Sequence, residues 1–268
     1  MNRLAAVILA AGKGTRFRSQ LPKVLHPLSG VPMVHYPVSL AKAVGASPIV
    51  VVVGHGADLV RRSLEEHDDI LFVDQVEQLG TGHAAQVGIE ALPKSAERVL
   101  ILSGDVPLLS EGTVRRLLEG SEDVRLLSTT LPEPSGYGRI LRRGDGVEII
   151  EERDAAPEQR TIREVNAGVY VLRTSFARPA LAALRPNNAQ HELYLTDVVR
   201  AAGPSVDVVS TSDAREVKGA NHRGELAELQ AWAWRRINAS LMLEGVTMLS
   251  PDSTYIDASV AVGVDTVI

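Results

Sequence analysis

Short apolar runs alternate with helical patterns over the first half of the chain, and no other feature constrains the fold as strongly. Five such runs lie at 4–9, 48–53, 70–73, 99–102 and 124–127. Runs of this length that are rich in valine, isoleucine and leucine are typical of buried strands. Because strands that alternate with helices form parallel sheets covered on both faces, we predict an α/β domain.

The pattern changes after residue 137. Three shorter strand-like segments, which predict an antiparallel extension or lid, lie at 139–141, 147–151 and 164–172. A helical pattern then runs from about His191 to Ala202, and a strand is predicted at 206–209.

The longest helical pattern runs from Gly224 to Leu243, and we interpret it as a connector helix. Trp232 and Trp234 lie beside its apolar stripe and are interpreted as packing residues, since aromatic side chains at helical spacing usually fill a core. The stripe itself consists of Leu226, Leu229, Ala233, Ile237 and Leu241.

Beyond that helix the sequence repeats with a period of six. The two series are Thr254, Val260 and Thr266, and Ile256, Val262 and Ile268. This period is typical of a β-helix, whose coils bury their inner face only when several are stacked. We therefore expect the chain to stop inside a second domain, although chance alternation over so few residues is an alternative. The expected parts are a domain over 1–223, a linker helix over 224–245 and a truncated second domain over 246–268.

Composition and charge limit the classes of protein and site. The chain has no cysteine, which excludes disulfides and thiolate catalysis and leaves oxygen or histidine as metal ligands. Its net charge of −5 argues against general nucleic-acid binding. No run reaches the roughly 20 apolar residues that span a bilayer. We expect a cytoplasmic protein that binds neither nucleic acid nor membranes.

Positive charge is concentrated at the start of the chain. No aspartate or glutamate precedes Asp58, and unpaired cations in this stretch suit a small polyanion unless they only form a solvated surface. The cations are Arg3, Lys13, Arg16, Arg18, Lys23 and Lys42.

The first predicted strand runs directly into a loop of small residues, Ala10-Ala11-Gly12-Lys13-Gly14-Thr15-Arg16. Ligands bind α/β sheets at the carboxyl ends of their strands, and small residues let backbone N–H groups approach phosphate oxygens. A Walker loop would need GxxxxGK[ST], and a dinucleotide fingerprint would need glycine where Phe17 stands. The loop therefore predicts a phosphate site of another kind.

Further motifs follow the loop in a fixed order. They are Leu21-Pro22-Lys23, Gln75-Val-Glu-Gln-Leu-Gly-Thr-Gly-His-Ala84, Gly104-Asp105-Val-Pro107, Gly136-Tyr-Gly-Arg139, Asn166-Ala-Gly168 and Asn187-Asn-Ala-Gln190. The segment from Leu9 to Lys23 resembles the signature of sugar-nucleotide pyrophosphorylases. The whole set resembles the bifunctional N-acetylglucosamine-1-phosphate uridylyltransferases, and the long helix and six-residue repeat are similar to that family's linker and left-handed β-helix.

The resemblance implies a fold and an activity. The fold would be a Rossmann-like nucleotidyltransferase domain with a mainly parallel mixed sheet, a long linker helix and the beginning of a left-handed parallel β-helix. The activity would be Mg²⁺-dependent uridylyl transfer from UTP to N-acetylglucosamine 1-phosphate. The whole protein would also acetylate glucosamine 1-phosphate from acetyl-CoA, feed peptidoglycan and lipopolysaccharide synthesis, and form a homotrimer once the β-helix is complete.

The resemblance also assigns the nucleotide and metal residues. Arg16 and Lys23 would be the catalytic cations, and Asp105 and Asn221 would hold Mg²⁺. Asp105 follows a predicted strand, where a carboxylate can bind this cation through oxygen. The alternatives are a turn cap for Asp105 and a turn asparagine for Asn221. The UTP-binding residues would be Leu9, Ala10, Ala11, Gly12, Gly14, Gln75, Gln78, Gly80 and Thr81.

The sugar phosphate would contact Gly138, Glu151, Asn166 and Tyr194. His83, beside the predicted uracil segment, is interpreted as a packed, hydrogen-bonded residue. The sequence departs from the family pattern near this pocket. Ser103 stands where many relatives carry tyrosine, Leu193 where an aromatic residue is common, and Glu152-Arg153 where a His-Lys pair is usual.

Two other functions stay open. One is another sugar-1-phosphate nucleotidyltransferase, such as a glucose-1-phosphate thymidylyl- or uridylyltransferase, against which the six-residue repeat and Gln78-Leu-Gly-Thr-Gly82 weigh. The other is a non-catalytic nucleotide-sugar sensor, and a sensor would have less need for the full set of Lys23, Asp105 and Asn221.

Overall fold

A computed structural model of the chain describes residues 4–144 and 146–268, so Arg3 of the basic stretch lies outside the described residues. The strands are β1 (Leu4–Leu9), β2 (Pro27–Leu28), β3 (Val31–Pro32), β4 (Ile49–Val53), β5 (Ile70–Asp74), β6 (Arg98–Ser103), β7 (Val124–Thr130), β8 (Arg139–Arg143), β9 (Gly146–Ile150), β10 (Glu164–Arg173) and β11 (Val206–Thr211). The helices are α1 (His35–Ala43), α2 (Ala57–Ser63), α3 (Thr81–Glu90), α4 (Glu111–Leu118), α5 (Pro157–Arg160), α6 (Thr174–Ala182), α7 (Asp197–Ala201) and α8 (Arg223–Leu243).

A nine-stranded mixed sheet forms the centre of the molecule, in the order β11-β7-β10-β6-β1-β4-β5 with the β8–β9 hairpin attached to β10. β1 runs parallel to β4 and β6, and β11 runs parallel to β7. β10 is antiparallel to both of its neighbours, β6 and β7. The predicted mainly parallel sheet with helices is confirmed, and all nine predicted strand segments are strands of this sheet.

Helices cover both faces of the sheet. Ala6 and Ile8 of β1 pack in a core that includes residues of α1, α2 and α4. Ala5 and Val7 point to the other face, where the core includes residues of α3, α6 and α7. Strands buried on both faces need apolar side chains at every position, which explains the continuous runs in the sequence.

The helical pattern predicted from His191 to Ala202 is wrong over its first half, because α7 begins only at Asp197. Backbone groups in the first half bond across to residues 79–82, at the start of α3. The N–H of Leu193 donates to the Leu79 carbonyl at 2.7 Å, and the Leu193 carbonyl accepts from Gly82 at 2.7 Å. The small β2–β3 hairpin was not predicted.

The helix α8 begins one residue before the predicted helical pattern and ends with it at Leu243, two residues before the end of the predicted linker. It packs on the β2–β3 hairpin, where the N–H of Ser29 donates to Gln230 Oε1 at 2.8 Å. Leu229 of α8 and Leu28 of the hairpin belong to one apolar cluster, against which Trp232 packs. The ring centroids of Trp234 and Tyr255 lie 4.4 Å apart. Both tryptophans therefore make packing contacts.

The segment that follows α8 folds back on the end of that helix. Val246 and Ile256 pack with Leu241, and Thr247 forms an isolated parallel bridge with Val267. The interpretation of this segment as the opening of a β-helix stays a prediction. Within the described residues, no helix combines the length and the apolar character needed to cross a membrane.

Candidate active site

The loops that follow β1 and β6 meet at one edge of the sheet, because these parallel strands are neighbours. The N–H of Gly104 donates to the Leu9 carbonyl at 2.9 Å and joins the two loops. A cavity of about 350 Å³ opens beside them, between the strand ends and the β8–β9 hairpin. Of the predicted site residues, the ones that line it are Arg16, Asp105, Gly138, Glu151, Asn166 and Asn221.

The structure brings the predicted catalytic and metal residues into two contacts. Lys23 Nζ forms an ion pair with Asp105 Oδ2, and each side chain is 18% exposed. Arg16 Nη2 donates to Asn221 Oδ1 at 2.8 Å. The N–H of Ala220 donates to the Asp105 carbonyl at 3.2 Å and holds together the two segments that carry the predicted metal ligands. The fold thus brings carboxylates from later in the chain to cations of the basic stretch before Asp58. A second example is Asp69, which pairs with Lys42 at 2.6 Å.

The cap that begins the helix after Asp105 is Ser110, whose Oγ accepts from the N–H of Thr113 at 3.2 Å. The Asp105 carboxylate, which lines the cavity, is paired with Lys23 instead. Glu225, in the first turn of α8, also lines the cavity, and its Oε2 accepts from the N–H of Asn221 at 2.6 Å. Glu225 was missed in the sequence. Its spacing of four residues from Asn221, at the start of a helix, was the available signal.

The oxygens of Asp105 and Asn221 suit a hard divalent cation. Among the described residues no group of three or more histidine, cysteine, aspartate or glutamate side chains could hold a metal. Two protein oxygens are nevertheless enough for Mg²⁺, which usually keeps several waters and binds substrate phosphates alongside one or two carboxylates. Lys23 and Arg16 contact the same two oxygens, so these cations lie where a metal would bind.

The predicted uracil segment is fastened to the phosphate loop. Gln78 Nε2 donates to the Ala11 carbonyl at 2.9 Å. Gln75 is buried, and its Nε2 donates to the Gly80 carbonyl at 3.1 Å and lies 3.3 Å from His83 Nδ1. Gln75 therefore stabilises the turn at Gly80 from inside the protein. His83 is a packed, hydrogen-bonded residue, as interpreted from the sequence.

Two glycines near the loop require their lack of a side chain. A Cβ on Gly14, at φ +57°, would lie 2.7 Å from Lys23 Cβ. A Cβ on Gly80, at φ +112°, would lie 2.6 Å from the Leu193 carbonyl oxygen. The first glycine lets Lys23 approach the loop, and the second lets the uracil segment pack against the chain that precedes α7.

A β-bulge in β10 aims Asn166 at the cavity. The register of β10 against β7 shifts between Asn166 and Tyr170, where Gly168 adopts φ +72°. Asn166 Oδ1 accepts from the N–H of Gly168 at 3.1 Å, and its Nδ2 donates to the Tyr170 hydroxyl at 2.6 Å. Bulges often redirect a side chain beside a functional site. Asn166 is thereby fixed in one orientation.

Glu151 is a partly buried carboxyl that lines the same cavity. Its Oε1 accepts from Thr196 Oγ1 at 3.1 Å. Burial, helped by the negative charges of Asp154 and Asp197, raises the pKa of Glu151 despite that hydrogen bond. Within the described chain, Tyr194 does not line this cavity. Burial and the carboxylates near it raise the pKa of Tyr194 to about 12.

The departures from the family pattern have structural counterparts. Ser103 lines the cavity. Glu152 Oε2 pairs at 2.6 Å with Nη2 of Arg139, a buried cation that needs a partner. The backbone of Leu193 forms the bonds to 79–82 that position the predicted uracil segment.

Tyr137 lines the cavity but was not singled out in the sequence. Burial and the charges of Glu225 and Asp105 raise its pKa.

Comparison with protein families and curated proteins gives consistent results. Residues 6–193 match the MobA-like NTP transferase domain. Over its full length the chain is 50% identical to the bifunctional protein GlmU of Syntrophotalea carbinolica, 47% identical to that of Geobacter metallireducens and 43% identical to that of Caldanaerobacter subterraneus. The alignments cover 59%, 58% and 60% of those proteins. The chain thus spans about three fifths of the length of the curated relatives it matches.

Solved structures show the same fold at low identity. A protein assigned as a glucose-1-phosphate thymidylyltransferase from Bacillus anthracis superposes with a TM-score of 0.68 at 17% identity, covering 86% of this chain and 95% of its own. A nucleotidyl transferase from Methanothermobacter superposes with a TM-score of 0.60 at 19% identity, covering 88% and 100%.

Proposed function

Since the chain belongs to the family of MobA-like NTP transferase domains and is a nucleotidyltransferase, we propose that it transfers the uridylyl group of UTP to N-acetylglucosamine 1-phosphate. The products are UDP-N-acetylglucosamine and pyrophosphate. The observation that carries this proposal is the cavity lined by Arg16, Asp105, Asn221 and Glu151, in which Asp105 is paired with Lys23 and Asn221 with Arg16.

The reaction needs positioning and charge more than covalent chemistry. A phosphate oxygen of the sugar phosphate attacks the α-phosphorus of UTP, and the bond from that phosphorus to the bridging oxygen of pyrophosphate breaks. No side-chain nucleophile is required. Arg16 and Lys23 offset the charge that develops on the triphosphate, since fixed cations in a partly buried site stabilise a transition state better than water does.

Mg²⁺ is the proposed cofactor, held by Asp105 and Asn221. When bound, it would neutralise phosphate charge and polarise the phosphoryl oxygens. Glu225 fixes the Asn221 backbone and so orients one ligand. The residues present fit this ion because both donors are oxygens at the same edge of the sheet.

We assign the base and the sugar to different parts of the site. The backbone and amide groups of Gln78, Gly80 and Thr81, beside the phosphate loop, would contact uracil. Glu151, Asn166 and Gly138 offer fixed donors and acceptors to a hydroxyl-rich sugar. Tyr194, which does not line the cavity, is proposed as a further contact of the sugar phosphate. The remaining nucleotide contacts are proposed for the backbone of 9–14.

The proposal for the whole protein is broader. Because the relatives are named bifunctional and are longer than this chain, acetylation of glucosamine 1-phosphate from acetyl-CoA is proposed for a further domain. The protein would be a cytoplasmic homotrimer that supplies peptidoglycan and lipopolysaccharide synthesis. Residues 246–268 would open its β-helix.

A pyrophosphate-release assay tests the proposal. Release from UTP should require both N-acetylglucosamine 1-phosphate and Mg²⁺. Equal turnover of dTTP with glucose 1-phosphate would instead assign the chain to another sugar-1-phosphate nucleotidyltransferase. Tight binding of UDP-N-acetylglucosamine without turnover of any pair would indicate a nucleotide-sugar sensor.

A further inference from the structure

A second cavity, of about 690 Å³, opens at the amino end of β6. Arg98 begins this strand and Ser103 ends it, and a strand rises by about 3.3 Å per residue, which places the two cavities roughly 17 Å apart along β6. The second cavity lies between the start of α6 and the turn after α4, so it shares no lining residue with the candidate active site.

Positive charge dominates the lining of this cavity. Four cations face two carboxylates, namely Lys94, Arg98, Arg173 and Arg178 against Glu97 and Glu122. The Glu122 carboxylate is already engaged, because it accepts from Arg125 Nη1 at 2.9 Å and from the N–H of Ser121 at 3.0 Å. Arg173 is engaged as well, because its Nε lies 3.1 Å from Asp123 Oδ1. Even without these two engaged groups, Lys94, Arg98 and Arg178 outnumber the one remaining carboxylate of the lining, and this excess of positive charge favours an anion.

Two buried polar atoms in the lining lack a hydrogen-bond partner within 4–144 and 146–268. They are Nη2 of Arg98 and Oγ1 of Thr174, a residue that is only 4% exposed. The other terminal nitrogen of Arg98 donates to the Leu118 carbonyl at 2.6 Å. A guanidinium has donors only, so the partner missing at Arg98 must be an acceptor. Burial and the neighbouring cations Arg125 and Arg173 lower the pKa of Arg98 although Glu122 opposes the shift, and a bound negative charge would favour the charged guanidinium.

The amino end of α6 reaches the same cavity. Arg173, Thr174 and Ser175 line it, and the N-cap residue Arg173 makes no side-chain cap. The N–H of Thr174 donates to the Glu97 carbonyl at 2.8 Å, which fixes the start of this nine-residue helix. The first N–H groups of a helix favour phosphate-like anions.

We propose that this cavity binds the phosphate group of a small phosphorylated metabolite. Arg98, Thr174 and the first turn of α6 hold the phosphate, and Arg178 and Lys94 add charge. The volume falls in the range of about 300–1,000 Å³ that is typical of small-molecule sites, so it admits an organic group beside the phosphate. This site does not depend on the function proposed above.

Titration of the full chain with inorganic phosphate, followed by calorimetry and by thermal unfolding, tests the proposal. Thr174→Val and Arg178→Gln should each weaken phosphate binding by about tenfold or more, the scale of one lost hydrogen bond to a charged group. Without phosphate, Thr174→Val should be no less stable than the parent, because the hydroxyl it removes has no partner. Pyrophosphate release in phosphate-free buffer should stay at the parent rate.

Thr113→Val is the matched control, since Thr113 is equally buried at 4% exposure but accepts hydrogen bonds from Ser110 Oγ at 3.1 Å and Arg116 Nη2 at 3.3 Å. It should lower the melting temperature and leave phosphate affinity unchanged. Arg16→Gln tests the other cavity.

Phosphate binding that is lost in Arg16→Gln and kept in Thr174→Val would place the anion in the candidate active site and overturn the proposal. Failure of the parent to bind phosphate would do the same. Repeating the titration with glucose 1-phosphate separates free phosphate from a phosphorylated sugar, because tighter binding of the ester that is still sensitive to Thr174→Val would show that the organic group contributes.

Discussion

At the scale of single residues, the notable feature is that each predicted metal ligand already has a cationic partner. Asp105 pairs with Lys23, and Asn221 accepts from Arg16. A partly exposed ion pair of this kind contributes little to stability. The two contacts therefore point to a functional role rather than a structural one. They hold two cations, Lys23 and Arg16, beside the place where phosphate charge would lie.

Asp105→Asn should lower the rate of pyrophosphate release by about 100-fold or more, the scale of losing one charged group from an active site. The fold should be unaffected, as one partly exposed carboxylate seldom decides stability. Asp69→Asn is the control, because Asp69 also pairs with a lysine but lies away from the cavity. Parent-like turnover of Asp105→Asn at limiting Mg²⁺, with unchanged circular dichroism, would remove Asp105 from the site.

Lys23→Ala should lower the maximal rate by roughly two to three orders of magnitude with a smaller effect on the KM of the sugar phosphate, because its charge is assigned to the triphosphate. Lys42→Ala, which breaks a lysine–aspartate pair elsewhere, should leave both parameters unchanged. An effect of Lys23→Ala confined to the sugar-phosphate KM would place Lys23 in the sugar-phosphate half of the site.

Glu151 should make stability depend on pH. Burial raises its pKa above the ordinary 4.5, so its contribution to stability is fully present below the ordinary pKa and is lost as pH rises through the raised value. Glu151→Gln cannot ionise and keeps an oxygen for Thr196. Its melting temperature relative to the parent should therefore be higher at pH 7 than at pH 4, and the opposite trend in differential scanning fluorimetry would contradict the burial argument.

At the scale of elements, the sequence predicted those that local patterning determines. The strand β4 was recognisable because all five of its residues are buried and apolar. The position of β10 between β6 and β7 could not be read in the same way, since strand neighbours depend on pairing across long stretches of chain. The helix predicted from His191 failed for the same reason, because its backbone bonds to 79–82 instead.

The residues of the candidate site also differ in whether local sequence could predict them. Residues at strand ends or in glycine-rich loops, such as Arg16 and Asp105, could be nominated because local structure decides where they lie. Glu225 was missed because it reaches the cavity from the first turn of α8, far along the chain from Arg16 and Asp105. Tyr137 was missed although it lies within the motif at 136–139. Gln75 was nominated for the base, yet the structure buries its amide against Gly80 and His83.

The attachment of α8 gives a prediction at this scale. Leu229 is 0% exposed in the cluster that joins α8 to the β2–β3 hairpin, whereas Leu243 on the same helix is 89% exposed. Leu229→Ala should lower the free energy of unfolding by about 2–5 kcal/mol. Leu243→Ala should change it by less than about 0.5 kcal/mol. Equal effects in urea denaturation would mean that α8 is not docked as described.

At the scale of the whole molecule, exposed apolar side chains gather after α8. They include Leu249, Tyr255, Val264 and Val267. Exposed apolar surface of this kind often marks an interface. In a longer chain, further six-residue coils would cover it and create a packing surface for neighbouring copies.

Residues 1–268 should therefore associate weakly, and a chain that continues through several more repeats should form a trimer. Light scattering on both chains measures this directly. A stable trimer of residues 1–268 would assign association to the catalytic domain or to α8, and the argument from stacked coils would fail.

The place of β10 in the sheet also governs how the chain can assemble during synthesis. β6 and β7 leave the ribosome first, but each has β10 as a neighbour in the finished sheet, so both keep an unpaired edge until residue 173 has emerged. Open edges of buried valine and leucine strands invite pairing between nascent chains. Fragments that end between β7 and β10 should therefore aggregate. A truncated version of this protein made for expression should end after β11.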